Sequence, residues 1–381
     1  MTRIYLLTLL HIAIYSCFTG SKLVLSLLAL EMGASQFLVG LLVACYAVAP
    51  LTLGVLSGRL ADTIGMRAPM LIGALFMCAA MLTGYLWHAL AALYATALLV
   101  GIGFVFFVVS TQNLAGALAG NRTRNYAVLA IGYSIANLVG PLVAGYSIEY
   151  AGHVTAFLVF AAFTLMPILV LASYGGLTRT EASNTPPIVR RAADLLRIAP
   201  LRRLIVISGL QMAAWELYIF YVPVYGHSIG LPASTIGIIL ACFAAATFVI
   251  RFALPSLTER WRTEQVLSVA MLFAGVLMLL FPLTAHPFAL MLMSFTIGIG
   301  LGCGQPLSMT LAFDRSPPGR SGEVTGLRII ATNLARFVVP LIAGSLGAAL
   351  GPGAVFWMNA LNLGATGYLA RPPRETANAE C

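Results

Sequence analysis

The chain alternates between long apolar runs and short polar breaks. A helix needs roughly 20 mostly apolar residues to cross a bilayer, and runs of that length recur from Ile4 to Leu369. Their limits predict helices over 4–28, 36–57, 68–87, 89–113, 126–149, 153–174, 204–226, 233–254, 265–285, 287–311, 323–349 and 352–370. Helices 3 and 4, 9 and 10, and 11 and 12 are parted only by Trp87-His88, His286-Pro287 and Gly351-Pro352-Gly353. The first run is too long for a signal-peptide core and lacks an Ala-x-Ala exit, so it is expected to remain as helix 1.

Loop charges test this count independently. Arg59 and Arg67 flank loop 2–3, Arg122 and Arg124 lie in loop 4–5, and Arg190, Arg191, Arg197, Arg202 and Arg203 lie in or beside loop 6–7. Arg260 and Arg262 follow helix 8, Arg315 and Arg320 follow helix 10, and Arg371 and Arg374 follow helix 12. The odd-numbered loops contain no Lys or Arg. The positive-inside rule therefore places the even-numbered loops and both termini in the cytoplasm. A miscounted helix would destroy the alternation.

The longest polar connection, Gly175 to Ala199, contains Pro186-Pro187 and splits the chain into similar halves. The expected organisation is an N-terminal six-helix bundle over 1–175, a cytoplasmic linker over 176–199 and a C-terminal six-helix bundle over 200–381. An offset of 197 residues carries Gly33 to Gly230, Gly40 to Gly237, Cys45 to Cys242, Asp62 to Glu259, and Gly101-Ile102-Gly103 to Gly298-Ile299-Gly300. Near helices 5 and 11 the offset becomes 199, aligning Gly140-Pro141 and Gly145 with Val339-Pro340 and Gly344. Parallel six-plus-six repeats are a known transporter design, with the binding site between the halves near the midplane.

Composition agrees with a lipid surroundings. Hydrophobic residues make up 60% of the 381 residues and charged ones 9%, too few to cover a water-soluble particle of this size. The net charge of +9 is spread over loops and does not form a nucleic-acid-binding face. Six cysteines form no CxxC pair and five lie in apolar runs, which reads as packing and not as a disulfide framework or metal site.

Loop 2–3 reads Gly58-Arg-Leu60-Ala61-Asp62-Thr63-Ile-Gly65-Met66-Arg67. It resembles the signature of the major facilitator superfamily between helices 2 and 3, Gly-x-Leu-Ala-Asp-Arg-x-Gly-Arg-Lys. Gly58, Leu60, Ala61, Asp62, Gly65 and Arg67 match, while Thr63 and Met66 depart from it. The resemblance implies an all-α integral membrane fold of twelve transmembrane helices in two pseudo-symmetric bundles. It also implies that Gly58, Asp62, Gly65 and Arg67 form a conformational gate, so that Asp62 governs cycling and not substrate affinity. Gly58 is expected to let helix 2 end close to a neighbour, and Arg67 to pair locally. Helix 5 carries Gly132, Gly140-Pro141 and Ala144-Gly145 and resembles the family's antiporter signature, with Ala144 replacing its penultimate glycine. Small residues there allow close helix packing. Helix 4 departs from the drug-exporter pattern, having Ala97 where an intramembrane arginine is expected.

Ionisable groups inside a span are costly and mark function. Lys22, the only lysine, lies in helix 1, Glu216 in helix 7 and Arg336 in helix 11. The resemblance places all three near the central pathway. Tyr218 and Tyr221 follow Glu216, and Gln112, Asn113, Asn137 and Gln305 are further candidates for lining it. Snorkelling is the bland reading of Lys22, and structural pairing that of Glu216 and Arg336. Arg328 and Arg251, nearer the helix ends, are expected to snorkel.

No HExxH, GxSxG or P-loop pattern occurs, so neither an enzyme nor an ATP-driven pump is expected. No cofactor or metal is implied. The reading is a secondary active transporter of a bacterial inner membrane, moving a small organic solute by alternating access and working as a monomer. A proton-coupled exporter of an organic anion or amphipathic compound stands first. A proton-coupled uptake permease of the same fold and a transport-dead membrane sensor stand as alternatives.

Overall fold

The computed structural model describes residues 2–118, 122–173, 192–317 and 320–372. They form α1 (Thr2–Glu31), α2 (Gln36–Ile64), α3 (Arg67–Leu86), α4 (Leu90–Ala117), α5 (Arg122–Ala151) and α6 (His153–Ser173). A 3-10 turn, Ala192–Arg197, precedes α7 (Ala199–Ser228), α8 (Ala233–Arg260), α9 (Thr263–Leu280), α10 (Pro287–Asp314), α11 (Ser321–Leu350) and α12 (Pro352–Ala370). Most of the expected linker, 174–191, lies outside the described residues. Eleven of the helices are long and apolar enough to cross a membrane. The twelfth, α12, is less apolar because of Asn359 and Asn362. Both amides turn inward, donating to Ala214 O at 3.2 Å and Leu210 O at 3.0 Å on α7, so its outer face stays free of them.

The two halves repeat one packing plan. In the first, α1 packs on α5 and α6, α3 on α4 and α6, and α2 on α4. In the second, α7 packs on α11 and α12, α9 on α10 and α12, and α8 on α10. The halves join through α5 with α8 and α2 with α11, which are mates under the repeat. Turn geometry follows the same rule. Gly33 (φ +78) and Gly230 (φ +75) adopt the left-handed conformation that favours glycine. Their amides close the same turn, to Leu30 O at 2.9 Å and His227 O at 3.0 Å. Gly152 and Gly351, both at φ +83, do so 199 residues apart.

The halves are sealed together at the odd-loop end. A Cβ on Gly237 would fall 2.5 Å from Pro141 O, and one on Gly145 would fall 2.6 Å from Ala233 O. In the mated seam, Gly40 presses on Pro340 O and on Gly344. Backbone thus meets backbone, which side chains other than glycine's would prevent. Two polar contacts reinforce the seal. Tyr221 Oη donates to Gln36 Oε1 at 2.6 Å, and the Ser234 amide at the start of α8 donates to Glu149 Oε2 at 3.0 Å. The helix 5 small-residue motif therefore serves both faces, since a Cβ on Gly140 would fall 2.7 Å from Ser16 O on α1.

At the even-loop end three arginines make contacts inside their own bundle. Arg67 donates to Leu171 O and Ala172 O, each at 2.7 Å, capping the carbonyl end of α6 across the bundle. This corrects the expected local pairing. Arg203 likewise caps α12 through Leu369 O and Arg371 O, and Arg315 pairs with Glu264 at 2.7 Å. The motif between α2 and α3 is shorter as a loop than expected. Gly58 to Ile64 remain helical, because nothing before Gly65 (φ +81) stops the helix. A Cβ on Gly58 would meet nothing within 4 Å, so close packing does not explain that glycine here. The Asp62 side chain lies outside the described part of the structure.

Candidate functional site

Three helices bring the intramembrane charges together. Lys22 Nζ of α1 lies 3.1 Å from Glu216 Oε2 of α7 and donates a hydrogen bond to it. Arg336 Nε of α11 lies 3.2 Å from Glu216 Oε1, an ion pair whose angle does not make a hydrogen bond. Glu216 is 6% exposed. Lys22 is also largely buried, with its ammonium 4.9 Å from the centre of the Phe18 ring and 5.8 Å from that of Tyr46. Those rings add cation–π attraction. Lys22 therefore does not snorkel. With Glu216 ionised the trio carries a net positive charge.

The trio lines a central cavity with Asn137, Tyr15, Phe18, Thr19, Trp215 and Ile219. Its lining is paired by the repeat. Offset 197 relates Phe18 to Trp215, Thr19 to Glu216 and Lys22 to Ile219, and offset 199 relates Asn137 to Arg336. The cavity thus lies where the two halves mirror each other, while its charges break the symmetry. It has about 50 Å³ of room for water, enough for one or two molecules. Drug-sized ligand pockets run to roughly 300–1,000 Å³, so an organic solute must displace side chains or meet a wider conformation.

Five expected lining residues fall elsewhere. Tyr218 turns into the second bundle, hydrogen-bonded to Ser294 of α10 and stacked 4.5 Å from Phe243. Tyr221 belongs to the odd-loop seal. Gln112 donates to Tyr133 Oη at 2.8 Å inside the first bundle, and Gln305 reaches Met212 Sδ at 3.4 Å. Asn113 is half-buried and outside the cavity lining. Asn137 does line the cavity, its amide donating to Tyr133 O at 2.9 Å.

Of the two arginines expected to snorkel, Arg328 is buried inside the second bundle. Arg328 is 7% exposed, held by Ser208 Oγ of α7 at 2.9 Å and Ser308 Oγ of α10 at 3.0 Å. Arg251 reaches from α8 to α5, donating to Ser134 Oγ at 2.8 Å. Both find hydroxyls on neighbouring helices. Sequence reasoning also passed over Tyr15, Thr19 and Phe18. Each lies three, four or seven residues from Lys22 on α1, the spacing that shares a helix face.

A helical bundle sealed at one end, with buried opposite charges at the axis between its halves, is the architecture of an alternating-access membrane transporter. The sequence profile of the Major Facilitator Superfamily matches residues 6–340, with a second match over 204–380. The chain belongs to that superfamily and is a multi-pass integral membrane protein. It is 24% identical over 355 residues to "Multidrug resistance protein 1" of Bacillus subtilis (strain 168), covering 89% of each chain. It is 22% identical over 351 residues to "Quinolone resistance protein NorA" of Staphylococcus aureus (strain MSSA476), covering 88% of each. Among solved structures, the nucleoside transporter NupG matches with a TM-score of 0.81 at 11% identity, over 97% of this chain and 98% of the other. A sulfate-bound peptide transporter, POT, matches at 0.77 and 16% identity, over 96% and 93%. At these identities the structures show the shared fold alone.

Proposed function

We propose that this transporter exports an amphipathic organic compound bearing a carboxylate and an amine, in exchange for protons taken up on Glu216. The observation that carries the reading is the placement of Glu216 between Lys22 and Arg336 at the axis between the halves. Burial disfavours an ionised carboxylate while the two cations favour it. Protonating Glu216 therefore frees both cations. A purely anionic solute would then bind together with the proton, and the two would travel together. Antiport needs the opposite, that proton and solute exclude each other. A solute amine that needs the ionised Glu216 meets that condition, while its carboxylate can accept from Arg336, whose fork suits bidentate pairing.

Export is supported by the efflux relatives and by the Gly140-Pro141 motif at the seal. With even loops cytoplasmic, the sealed odd-loop end faces outward, as in the loading state of an exporter. A bacterial cytoplasmic membrane fits the bacterial relatives. Reporter fusions after Arg124 and after His153 should read opposite sides of the membrane, with Arg124 inside. Equal readings would overturn the topology.

Binding tests the site directly. A fluorescent quinolone carries a ring carboxylate and, in many members, an amine. Its affinity for detergent-solubilised protein can be read from quenching of tryptophan emission, to which Trp215 of the cavity contributes. Arg336→Ala should weaken binding about tenfold or more, the worth of a charge-assisted hydrogen bond of ~1.5–3 kcal/mol. Arg336→Lys should keep part of it. Unchanged binding in Arg336→Ala would remove the arginine from the site.

A further inference from the structure

Helix α1 carries a second polar feature below the trio. Thr8, His11, Tyr15, Thr19 and Lys22 recur at spacings of three and four residues, so they share one stripe of the helix. The upper three, Tyr15, Thr19 and Lys22, line the central cavity with Glu216. The lower two lead from there toward the even-loop end, where α1 begins. His11 is fully buried, and neither ring nitrogen has a hydrogen-bond partner. Thr8 Oγ1, one turn below it, is buried and unpartnered as well, as is Ser110 Oγ of α4. The His11 ring stacks on Tyr15 at 5.4 Å and meets Tyr133 of α5 edge-on at 4.1 Å.

A neutral imidazole has one donor and one acceptor. Leaving both unmade in a buried place costs about 1–3 kcal/mol for each, and native interiors satisfy nearly all such groups. Packing cannot be the reason for a histidine here, because a phenylalanine would fill the slot between two tyrosines without that cost. Water is the partner small enough to reach both nitrogens. The surroundings suit a group that takes up a proton only in passing. The ionisable residues facing this stretch are Tyr133 of α5, Arg251 of α8 beside Ser134, Arg336 of α11 and Glu216 of α7. At this level α4 and α6 carry no ionisable side chain. Cations nearby, and no acid in contact with His11 among the described residues, keep an imidazolium short-lived, so it does not trap the proton.

We propose that His11 is a proton-transfer station between Glu216 and the even-loop face, working through water along the α1 stripe. The inference rests on Glu216 being the proton carrier. In the release step the Glu216 O–H bond breaks. Its proton passes through water and the Tyr15 hydroxyl, and an N–H bond forms at the unprotonated nitrogen of His11. The N–H bond at the other nitrogen then breaks to water beside Thr8. Neutral imidazole is left in its other tautomer, and rotation of the ring resets it. No atom is gained or lost except the proton delivered.

The test uses the full chain in proteoliposomes with a pH-sensitive dye inside, an imposed pH gradient, and a fluorescent quinolone as the transported probe. His11→Phe preserves the ring and removes both nitrogens. It should lower probe-driven proton flux and gradient-driven accumulation about tenfold or more, while counterflow of the probe stays within about twofold. Its thermal midpoint should equal or exceed that of the parent, since two unpartnered atoms are gone. His11→Gln, which keeps a donor and an acceptor but does not titrate, should behave like His11→Phe in flux and guards against a folding failure in the latter. Proton flux unchanged in both variants would overturn the proposal. A parallel fall of counterflow would overturn it too, by making His11 a structural or substrate residue. Glu216→Gln run beside them separates the two ideas. If it retains accumulation, the coupling role of Glu216 fails. If it loses accumulation while the His11 variants keep it, only the path fails.

Discussion

Glu216→Gln should leave vesicles unable to accumulate substrate against its gradient, while exchange of labelled for unlabelled substrate continues. Glutamine keeps an oxygen beside Lys22 and an amide in the same volume, so the cavity keeps its shape. It cannot bind or release the proton, so the downhill proton flow no longer drives anything. Affinity for a substrate amine should fall about tenfold to a hundredfold, in line with ~1.5–3 kcal/mol for a hydrogen bond to a charged group. For that reason the exchange is measured at saturating substrate. Stability should fall as well. Removing one member of a buried ion pair costs about 3–5 kcal/mol, and the lower end applies here because the Arg336 side chain is 34% exposed. Pairing the change with Lys22→Met should restore part of the lost thermal stability without restoring accumulation. Accumulation that survives Glu216→Gln would show the trio to be a structural clasp and nothing more.

Gly237→Val should stop transport for a different reason. Its new Cβ would fall 2.5 Å from Pro141 O, and Gly145 stands just beyond. Neither obstacle is a side chain that can swing aside. Overpacking of this kind costs about 1–3 kcal/mol, applied to the sealed state and relieved when the halves part at the odd-loop end. The population should move toward the open form, and transport should drop about tenfold. Gly40→Val, at the mated seam, should do the same. A cysteine introduced at Gln36 in a background free of native cysteines reports the change. It should react faster with a membrane-impermeant maleimide once the seal is weakened. Normal transport and unchanged labelling in both variants would mean that this seam does not open during the cycle.

The helices were legible because hydropathy and helix length coincide within a bilayer. The bounds of α6, α10 and α12 start or end where the runs do. They part where a helix continues beyond the lipid. α2 runs on to Ile64 and α8 to Arg260, each in a charged turn that hydropathy counts as loop. α7 starts at Ala199, earlier than expected, because Pro200 suits a helix start and the polar Arg203 finds carbonyls to cap. In the site, Lys22, Glu216 and Arg336 could be found because a charge in an apolar run has a cost that needs a reason. Direction was harder. Tyr218 and Tyr221 follow Glu216 closely, yet one faces α10 and the other α2. Which neighbour each side chain meets depends on helix rotation, which a uniformly apolar run does not encode. Arg328 shows the same limit. Its depth suggested snorkelling, while serines on two other helices decided the matter.

The pairing of cavity residues across the repeat constrains how such a site can arise. Two identical halves, meeting as a dimer, place identical residues at mated positions. They could set a lysine against a glutamate only by carrying both residues twice, with four charges crowding the crossing of α1 and α7. Here Thr19 and Ile219 stand neutral opposite Glu216 and Lys22. A single salt bridge spans the crossing, and Asn137 leaves Arg336 without a cationic twin. An assembly built from one half-length gene cannot reach that arrangement. The two halves had to drift apart in sequence at these few positions before the chamber could hold an odd number of charges.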